Sequence, residues 1–237
     1  MDDTISIIFP TRYRHNNVKE LLDTLQNTVK YKARCEVCIY FDDDDVDTIN
    51  KCKEFINNYD ITVKYIVGPR LVLSQLWNEA YEKLATGTII MQCGDDIRFR
   101  TPDWDEVVYN AYNKFDDKIL LVFGNDGIAF EKLATHSFVS RKWIEVSGMW
   151  LPPYFASDFN DVWLDEVARK VGRIQYFPDL YFEHMHVLVK KAVEDMNTRE
   201  RLARHTQQNP KKIYDSTISE RNQHVSKLLQ YINEHKQ

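Results

Sequence analysis

Short apolar runs alternate with amphipathic segments along the first hundred residues. Four runs of strand length (TISIIFPT, CEVCIYFD, ITVKYIVGP and TIIMQCGDD) are separated by three segments with apolar residues at helical spacing. In the first of these segments, Val18, Leu21, Leu22 and Leu25 share one helical face. The third segment, VLSQLWNEAYEKLATG, is predicted to end with Gly87 as its C-cap. This alternation predicts an α/β fold with a mostly parallel central sheet flanked by helices.

The regular alternation of predicted strands and helices becomes less clear after Trp104. A predicted helix over DWDEVVYNAYNKF and a strand over KILLVFGND lead into a loop-rich stretch. A helix over DFNDVWLDEVARKVG, a short strand RIQYFPD and the segment LYFEHMHV follow. Since the last forty-odd residues are polar and helical without a core of their own, we predict one domain over residues 1–190 and a helical C-terminal extension over 191–237.

Composition indicates a folded, soluble protein. A chain of 237 residues with 43% hydrophobic residues can bury one large core. No apolar stretch approaches the ~20 residues that span a bilayer, and the N-terminus lacks the features of a signal peptide. We therefore expect an intracellular, cytoplasmic location. The net charge of −5 argues against general nucleic-acid affinity. Residues 190–237, with 10 basic and 6 acidic side chains, nevertheless form a mildly basic tail that could meet an anionic partner.

Cys35 and Cys38 have the C-x-x-C spacing of redox and metal sites. They fall within a predicted strand, however, where side chains three positions apart point to opposite faces. We therefore predict free cysteines in the core.

Charged residues follow each of the four early strands, in PTRYRH, FDDDDVD, GPR and GDD. Because the carboxyl ends of parallel strands meet at one edge of a sheet, these carboxylates and arginines should form one rim. Such a rim suits a phosphorylated ligand with a divalent cation. Neither a Walker motif nor G-x-G-x-x-G is present, which disfavours the common nucleotide-binding loops.

The order of these motifs resembles the nucleotide-sugar domain of GT-A fold glycosyltransferases of the family 2 type. The resemblance extends over roughly residues 4–190 and includes SIIFPTRYR, IYFDDDD, GPRLVLSQLWNEAYEKLATGTIIMQCGDDI, NDVWLDEVARKVG and YFPDLYFEHMH. It implies that the protein transfers a sugar from a nucleoside-diphosphate sugar to an acceptor hydroxyl. A UDP-sugar is the first candidate for the donor. The implied cofactor is Mn²⁺ or Mg²⁺.

The resemblance also implies a set of donor-binding residues. The nucleotide would lie at the first strand end, an acidic residue would bond the nucleobase, and basic and polar groups would meet the diphosphate, ribose or sugar. On this sequence the matching residues are Pro10, Thr11, Arg12, Arg14, Asp42, Arg70, Ser74, Asn78, Asp95 and Lys191. A solvated turn for the aspartates and a solvent-facing position for Asn78 are the alternatives.

The GDD segment matches the metal-binding motif of the family, with Gly94 where many relatives carry a first aspartate. On an extended chain Asp95 and Asp96 face opposite ways, so we expect one direct metal ligand, Asp96. The resemblance implies that histidines at the late strand end, His184 and His186, complete the metal site. His136 is expected either on the acceptor side or as a buried structural residue.

In an inverting transferase a carboxylate removes the proton of the acceptor hydroxyl. The resemblance places Asp161 at this position, with Asn160 in place of the usual glutamate, and Asp158 is the second candidate. The alternative is an acidic first turn that the helix dipole favours.

Two other functions are open. A sugar nucleotidyltransferase would need a glycine-rich first loop, and FPTRYRHN contains no glycine. A non-catalytic nucleotide- or glycan-binding module would bind donor without turnover. The acceptor is unresolved between a saccharide, a small molecule and a hydroxymethylated base flipped out of DNA.

Overall fold

The computed structural model describes residues 3–235, which form one eight-stranded sheet with helices packed on both faces. The strand order is β3-β2-β1-β4-β7-β6-β8-β5. The strands are β1 (Ile5–Thr11), β2 (Cys35–Asp42), β3 (Thr62–Gly68), β4 (Ile89–Gln92), β5 (Ile97–Phe99), β6 (Leu121–Asn125), β7 (Ser137–Ser140) and β8 (Ile174–His184). The helices are α1 (His15–Thr28), α2 (Val46–Lys53), α3 (Leu73–Leu84), α4 (Trp104–Tyr112), α5 (Arg141–Ser147), α6 (Asn160–Val171), α7 (Met196–Gln208), α8 (Pro210–Ser216) and α9 (Ile218–Glu234).

The sheet is mostly parallel, as predicted. Strands β1 to β4 run parallel, and β6 is parallel to β8. β7 is antiparallel to both β4 and β6, and β5 is antiparallel to β8. Because β7 runs against β4, Ser137 at the start of β7 pairs with Gln92 at the end of β4. The loop that enters β7 therefore lies at the same edge as the carboxyl ends of the first four strands.

Three local predictions were wrong. Helix α3 ends at Leu84 with Ala85 in an extended conformation, so Gly87 is not its C-cap. Gly87 instead packs against the first strand, where an added Cβ would lie 2.6 Å from the Ser6 hydroxyl oxygen. The second helical segment, predicted from the sequence over VDTINKCKEFINNY, forms a helix only over Val46–Lys53, and a short 3-10 helix follows at Ile56–Asn58. The strand after α6 and the following segment join into one continuous strand, β8.

The cysteines occupy the core as predicted. Cys35 packs in the cluster under α1, α2 and α4, whereas Cys38 packs in the cluster under α3, α5 and α6. All four cysteines of the chain are free and buried. Burial raises the pKa of both thiols, so they behave as apolar core residues.

The C-terminal helices share the core of the main body. Leu228 and Ile232 of α9 are buried in the same cluster as α5 and α6. The division at residue 190 stays a prediction. No helix within residues 3–235 is long and apolar enough to cross a membrane.

Candidate active site

A cavity of about 290 Å³ opens at the carboxyl edge of the sheet. Its walls come from the ends of β1, β2, β4 and β8, the start of α6, and helix α7. Thirteen of the residues predicted from sequence line it: Pro10, Thr11, Arg12, Arg14, Asp42, Arg70, Asp95, Asp96, His136, Asp158, Asp161, His184 and His186.

Three predicted donor residues do not line the cavity. The buried Ser74 hydroxyl donates to a backbone carbonyl at 3.2 Å. The Asn78 amide donates to the Leu151 carbonyl at 2.8 Å and accepts from the Leu151 amide, so it ties α3 to the loop before α6. Lys191 donates to Glu183 at 2.6 Å at the side of β8. Since these groups are engaged away from the cavity, the structure does not favour a donor contact for them.

Two arginines converge on one buried carboxylate at the β1 and β2 ends. Arg12 lies 3.3 Å from Asp42, and Arg70 forms an ion pair with the same oxygen. Asp42 is 1% exposed and its second carboxylate oxygen has no hydrogen-bond partner. The arrangement fixes both guanidinium groups at the cavity wall; the terminal nitrogens of Arg12 are also paired with Asp44 and the Tyr13 hydroxyl, so an anionic ligand would compete with carboxylates for these arginines.

The two adjacent aspartates after β4 lie in a turn rather than on the extended backbone expected from the sequence, and Arg14 approaches both, but their closest partners differ. Asp95 accepts from the Thr11 hydroxyl at 2.7 Å and from Arg14 at 3.0 Å. Asp96 instead lies 3.5 Å from the Nε2 atom of His184. Asp95 therefore holds the first strand end in place, whereas Asp96 points toward the end of β8.

Asp96 and His184 fit a divalent cation. A carboxylate oxygen and an imidazole nitrogen are ligands that Mn²⁺ accepts, and bonds of about 2.1 Å place adjacent ligands of one ion about 3 Å apart, close to the observed separation. Burial raises the pKa of Asp96, but His184 and Arg14 outweigh it, so the net pKa is lowered and the carboxylate is ionised.

The protein supplies few further ligands there. No group of three or more histidine, cysteine or acidic side chains within residues 3–235 is arranged to hold a metal. His186 Nδ1 accepts from the Leu188 amide at 3.2 Å and so caps the short turn Val187–Val189. The structure therefore favours Asp96 and His184 over His186 as ligands, with the remaining coordination positions left for substrate oxygens or water.

Asp161 differs from its acidic neighbours Asp158, in the loop before α6, and Asp165, on α6. Asp158 is paired with Arg201 at 2.5 Å and His205 at 2.6 Å, and Asp165 is paired with Arg169 at 2.6 Å. Asp161 has no basic partner within residues 3–235; its carboxylate accepts only from the next backbone amide, at 2.9 Å. Burial raises the pKa of Asp161 to about 6, and the charges of Asp158 and Asp165 add to the rise. This carboxylate can therefore accept a proton near neutral pH.

Helix α7 closes one side of the cavity, and its residues were missed from the sequence. Glu200 lies 2.7 Å from Arg70, 3.4 Å from Arg12 and 3.6 Å from Arg204. Asp195, which caps α7, lies 2.6 Å from Arg14. Two carboxylates from the C-terminal segment thus form salt bridges with the arginines at the carboxyl ends of the strands. The one available signal was the i, i+4 spacing of Glu200 and Arg204, which also describes an ordinary solvated helix.

Comparison with known proteins shows the family and the fold of the chain. The family model described as glycosyl transferase family 2 matches residues 6–165. The structure of the mannosyltransferase PcManGT from Pyrobaculum calidifontis in complex with GDP-Man and Mn²⁺ is similar, with a TM-score of 0.63 and 15% identity over 99% of this chain and 74% of that one. S. aureus TarS 1-349 in complex with UDP-GlcNAc is also similar, with a TM-score of 0.60 and 15% identity over 97% of this chain and 81% of that one.

No protein of curated function matches the chain in sequence. At such low identities the two structures show a common GT-A-like α/β fold, and the family model extends over most of the sequence. The chain belongs to glycosyl transferase family 2.

Proposed function

We propose that this family 2 glycosyltransferase uses a UDP-sugar as donor, requires Mn²⁺ or Mg²⁺, and transfers the sugar with inversion to an acceptor hydroxyl that Asp161 deprotonates. The observation that carries the proposal is the half-buried Asp161, which has no basic partner within residues 3–235, in the same cavity as the arginine rim and the Asp96–His184 pair. One wall offers cations for a leaving diphosphate, and another offers a base for the incoming hydroxyl.

The proposed binding of the donor, and the departure of its diphosphate, depend on charged groups in the cavity. Arg12 and Arg70 present guanidinium groups to the cavity, where they would bind phosphate oxygens and stabilise the negative charge of the leaving group. Asp96 and His184 would hold the metal, which when bound neutralises the diphosphate. The structures of TarS with UDP-GlcNAc and PcManGT with GDP-Man and Mn²⁺ support a nucleoside-diphosphate sugar as the ligand class.

The acceptor half rests on Asp161. An inverting transfer needs one carboxylate that takes the hydroxyl proton as the new glycosidic bond forms. Asp158 is less suited, because its two carboxylate oxygens are engaged by Arg201 and His205. Asp161 has the raised pKa of a base that works near neutral pH.

A donor screen tests the reaction. We expect one nucleotide sugar, incubated with the protein and Mn²⁺, to release its nucleoside diphosphate slowly by hydrolysis, and EDTA to stop the release. Binding without release would instead indicate a non-catalytic module. Formation of pyrophosphate from a nucleoside triphosphate and a sugar 1-phosphate would indicate a nucleotidyltransferase.

Glu200 should compete with the donor for the arginines. We expect Glu200→Gln to bind UDP about 5- to 10-fold more tightly, because the variant removes a negative charge 2.7 Å from Arg70 while keeping the side-chain shape. Calorimetric titration with UDP measures the change. Glu194→Gln, which alters an acid paired only with the exposed Arg199, is the matched control and should bind as the wild type does. Weaker binding by Glu200→Gln would show that Glu200 instead positions the arginines.

A further inference from the structure

Three buried polar side chains at the sheet edge have atoms that bond to nothing in the protein. They are Gln92, His136 and Asn160, which are 3%, 7% and 2% exposed. Gln92 Oε1, both ring nitrogens of His136, and both amide atoms of Asn160 lack a hydrogen-bond partner. All three residues line the cavity of the active site.

The topology brings these residues together. Gln92 ends β4 and pairs in register with Ser137, so His136, one residue earlier, lies beside the β4 end. Asn160 begins α6, and Asp165 of the same helix accepts the Ala134 amide at 3.1 Å. That bond ties the loop before β7 to the first turns of α6. Parts of β4, β7 and α6 thus form one end of the cavity, next to Asp161.

Unpartnered polar groups in a buried position are unfavourable. Each costs about 1–3 kcal/mol when no hydrogen bond replaces the lost water, and folded proteins retain few of them. Here five such atoms occur on three residues around one cavity. These atoms have almost no exposed surface, but their residues line the cavity, so a ligand that brings several hydrogen-bonding groups against them would satisfy them.

The chemistry of the three side chains defines the ligand. Two are amides, and an imidazole offers one donor and one acceptor in its neutral form. Sugar hydroxyl groups both donate and accept, so they match such a mixed set. The carboxylate of Asp161, next to Asn160, has no basic partner within residues 3–235, whereas Arg201 and Arg204 of α7 are paired with Asp158 and Glu200, so an anionic substituent here would meet an uncompensated negative charge.

We infer that Gln92, His136 and Asn160 form the subsite for the transferred sugar ring and select a neutral hexose over a uronic acid. The inference rests on the proposed function and extends it to the class of donor sugar. His136 thereby acts on the donor side of the cavity rather than on the acceptor side expected from the sequence.

The test separates the sugar from the nucleotide. Binding constants of the full chain are measured with Mn²⁺ for UDP and GDP, and for UDP-glucose, UDP-GlcNAc, GDP-mannose and UDP-glucuronic acid. In His136→Ala and Asn160→Ala we expect the extra affinity of the preferred nucleotide sugar over its nucleotide to fall about 10-fold, because each variant removes hydrogen bonds to the sugar. Affinity for the nucleotide with Mn²⁺ should stay within about 2-fold in Asn160→Ala, whereas in His136→Ala it can also fall, because the centroid of the His136 ring lies 4.7 Å from that of the proposed metal ligand His184. UDP-glucuronic acid should bind no better than UDP.

Thermal stability excludes a purely structural role. The Tm is measured on Asn160→Leu, which keeps the buried volume: removal of unpartnered polar atoms should leave the Tm unchanged or raise it, whereas a structural role of the amide predicts a lower Tm. Ser137→Ala is the matched control. Its hydroxyl is also buried and unpartnered but does not line the cavity, so the sugar-dependent affinity should not change.

Two results would overturn the inference: an unchanged sugar-dependent affinity in both variants, or preferential binding of UDP-glucuronic acid. Either can occur while the wild type still turns over a nucleotide sugar, which leaves the proposed function standing. A wild type that binds none of the nucleotide sugars contradicts the proposed function itself, and the inference with it.

Discussion

Replacing Asp161 by asparagine is expected to abolish sugar transfer and, at neutral pH, to make the protein more stable. The amide keeps the shape of the carboxylate but cannot accept the proton of the acceptor hydroxyl. Loss of a general base typically lowers the rate by about 10²- to 10⁴-fold. UDP binding should change by less than about 2-fold, because the arginine rim is untouched. Transfer assays and calorimetry on the same preparation measure both effects.

The stability gain has a definite pH dependence. The pKa of Asp161 is about 6 in the folded protein against an ordinary value of 3.8. The folded state therefore binds this proton more tightly than the unfolded state does, so the fold loses stability as the pH rises from about 3.8 to about 6 and keeps that loss at higher pH. Relative to wild type, Asp161→Asn should be about 1 to 3 kcal/mol more stable at pH 7.5, and this difference should vanish near pH 4. Urea unfolding at the two pH values measures it.

Asp165→Asn is the matched control for the Asp161 variant. The Asp165 carboxylate pairs with Arg169 and accepts the Ala134 amide, so its replacement should lower stability at pH 7.5. In the wild type, transfer should rise with pH around an apparent pKa of about 6 and level off above it, as a base with this pKa requires. Full transfer by Asp161→Asn, or a loss of stability in that variant, would contradict the assignment.

Replacing Asp96 by asparagine is expected to remove the metal dependence of donor binding. The variant keeps the oxygen that faces His184 but loses the negative charge of the carboxylate. Because the protein offers only two proposed metal ligands, no other side chain replaces that charge. Because a bound metal contributes several kcal/mol to stabilising a leaving diphosphate, transfer should fall by at least about 10²-fold. Mn²⁺ titrations followed by electron paramagnetic resonance, with and without UDP, measure the metal directly.

A second rim acid is the control for Asp96. Asp43 follows β2 at an exposed position, so Asp43→Asn removes one negative charge from the same edge without touching the proposed ligands. Its Mn²⁺ affinity should match that of the wild type. Retained Mn²⁺-dependent UDP binding in Asp96→Asn would place the metal elsewhere.

The rim of the active site could be predicted because it depends on local sequence and on one topological rule. Arg12, Asp42 and Asp96 directly follow strands whose apolar runs are easy to recognise, and parallel strands end at one edge. The strands β5 and β7 were missed, since three and four residues are too few to show a period.

The contacts made by helices were harder to predict. Ser74 and Asn78 share one face of α3, but which face meets the cavity depends on how the helix packs, and theirs meets the loop before α6. The contacts of the Glu200 and Asp195 carboxylates were even harder to predict from the sequence. Nothing local distinguishes them from solvated helix residues, because their partners lie at the far end of the chain.

The position of α7 has a consequence for the order in which parts of the protein fold. Arg14 and Asp195 are 181 residues apart in sequence. The entropy lost in closing a loop grows with its length, and contacts between distant residues are expected to form late in folding. The sheet and the arginine rim require only the main body of the chain, whereas the cavity needs α7 as its last wall. Competence to enclose a donor would then be acquired in the final folding step.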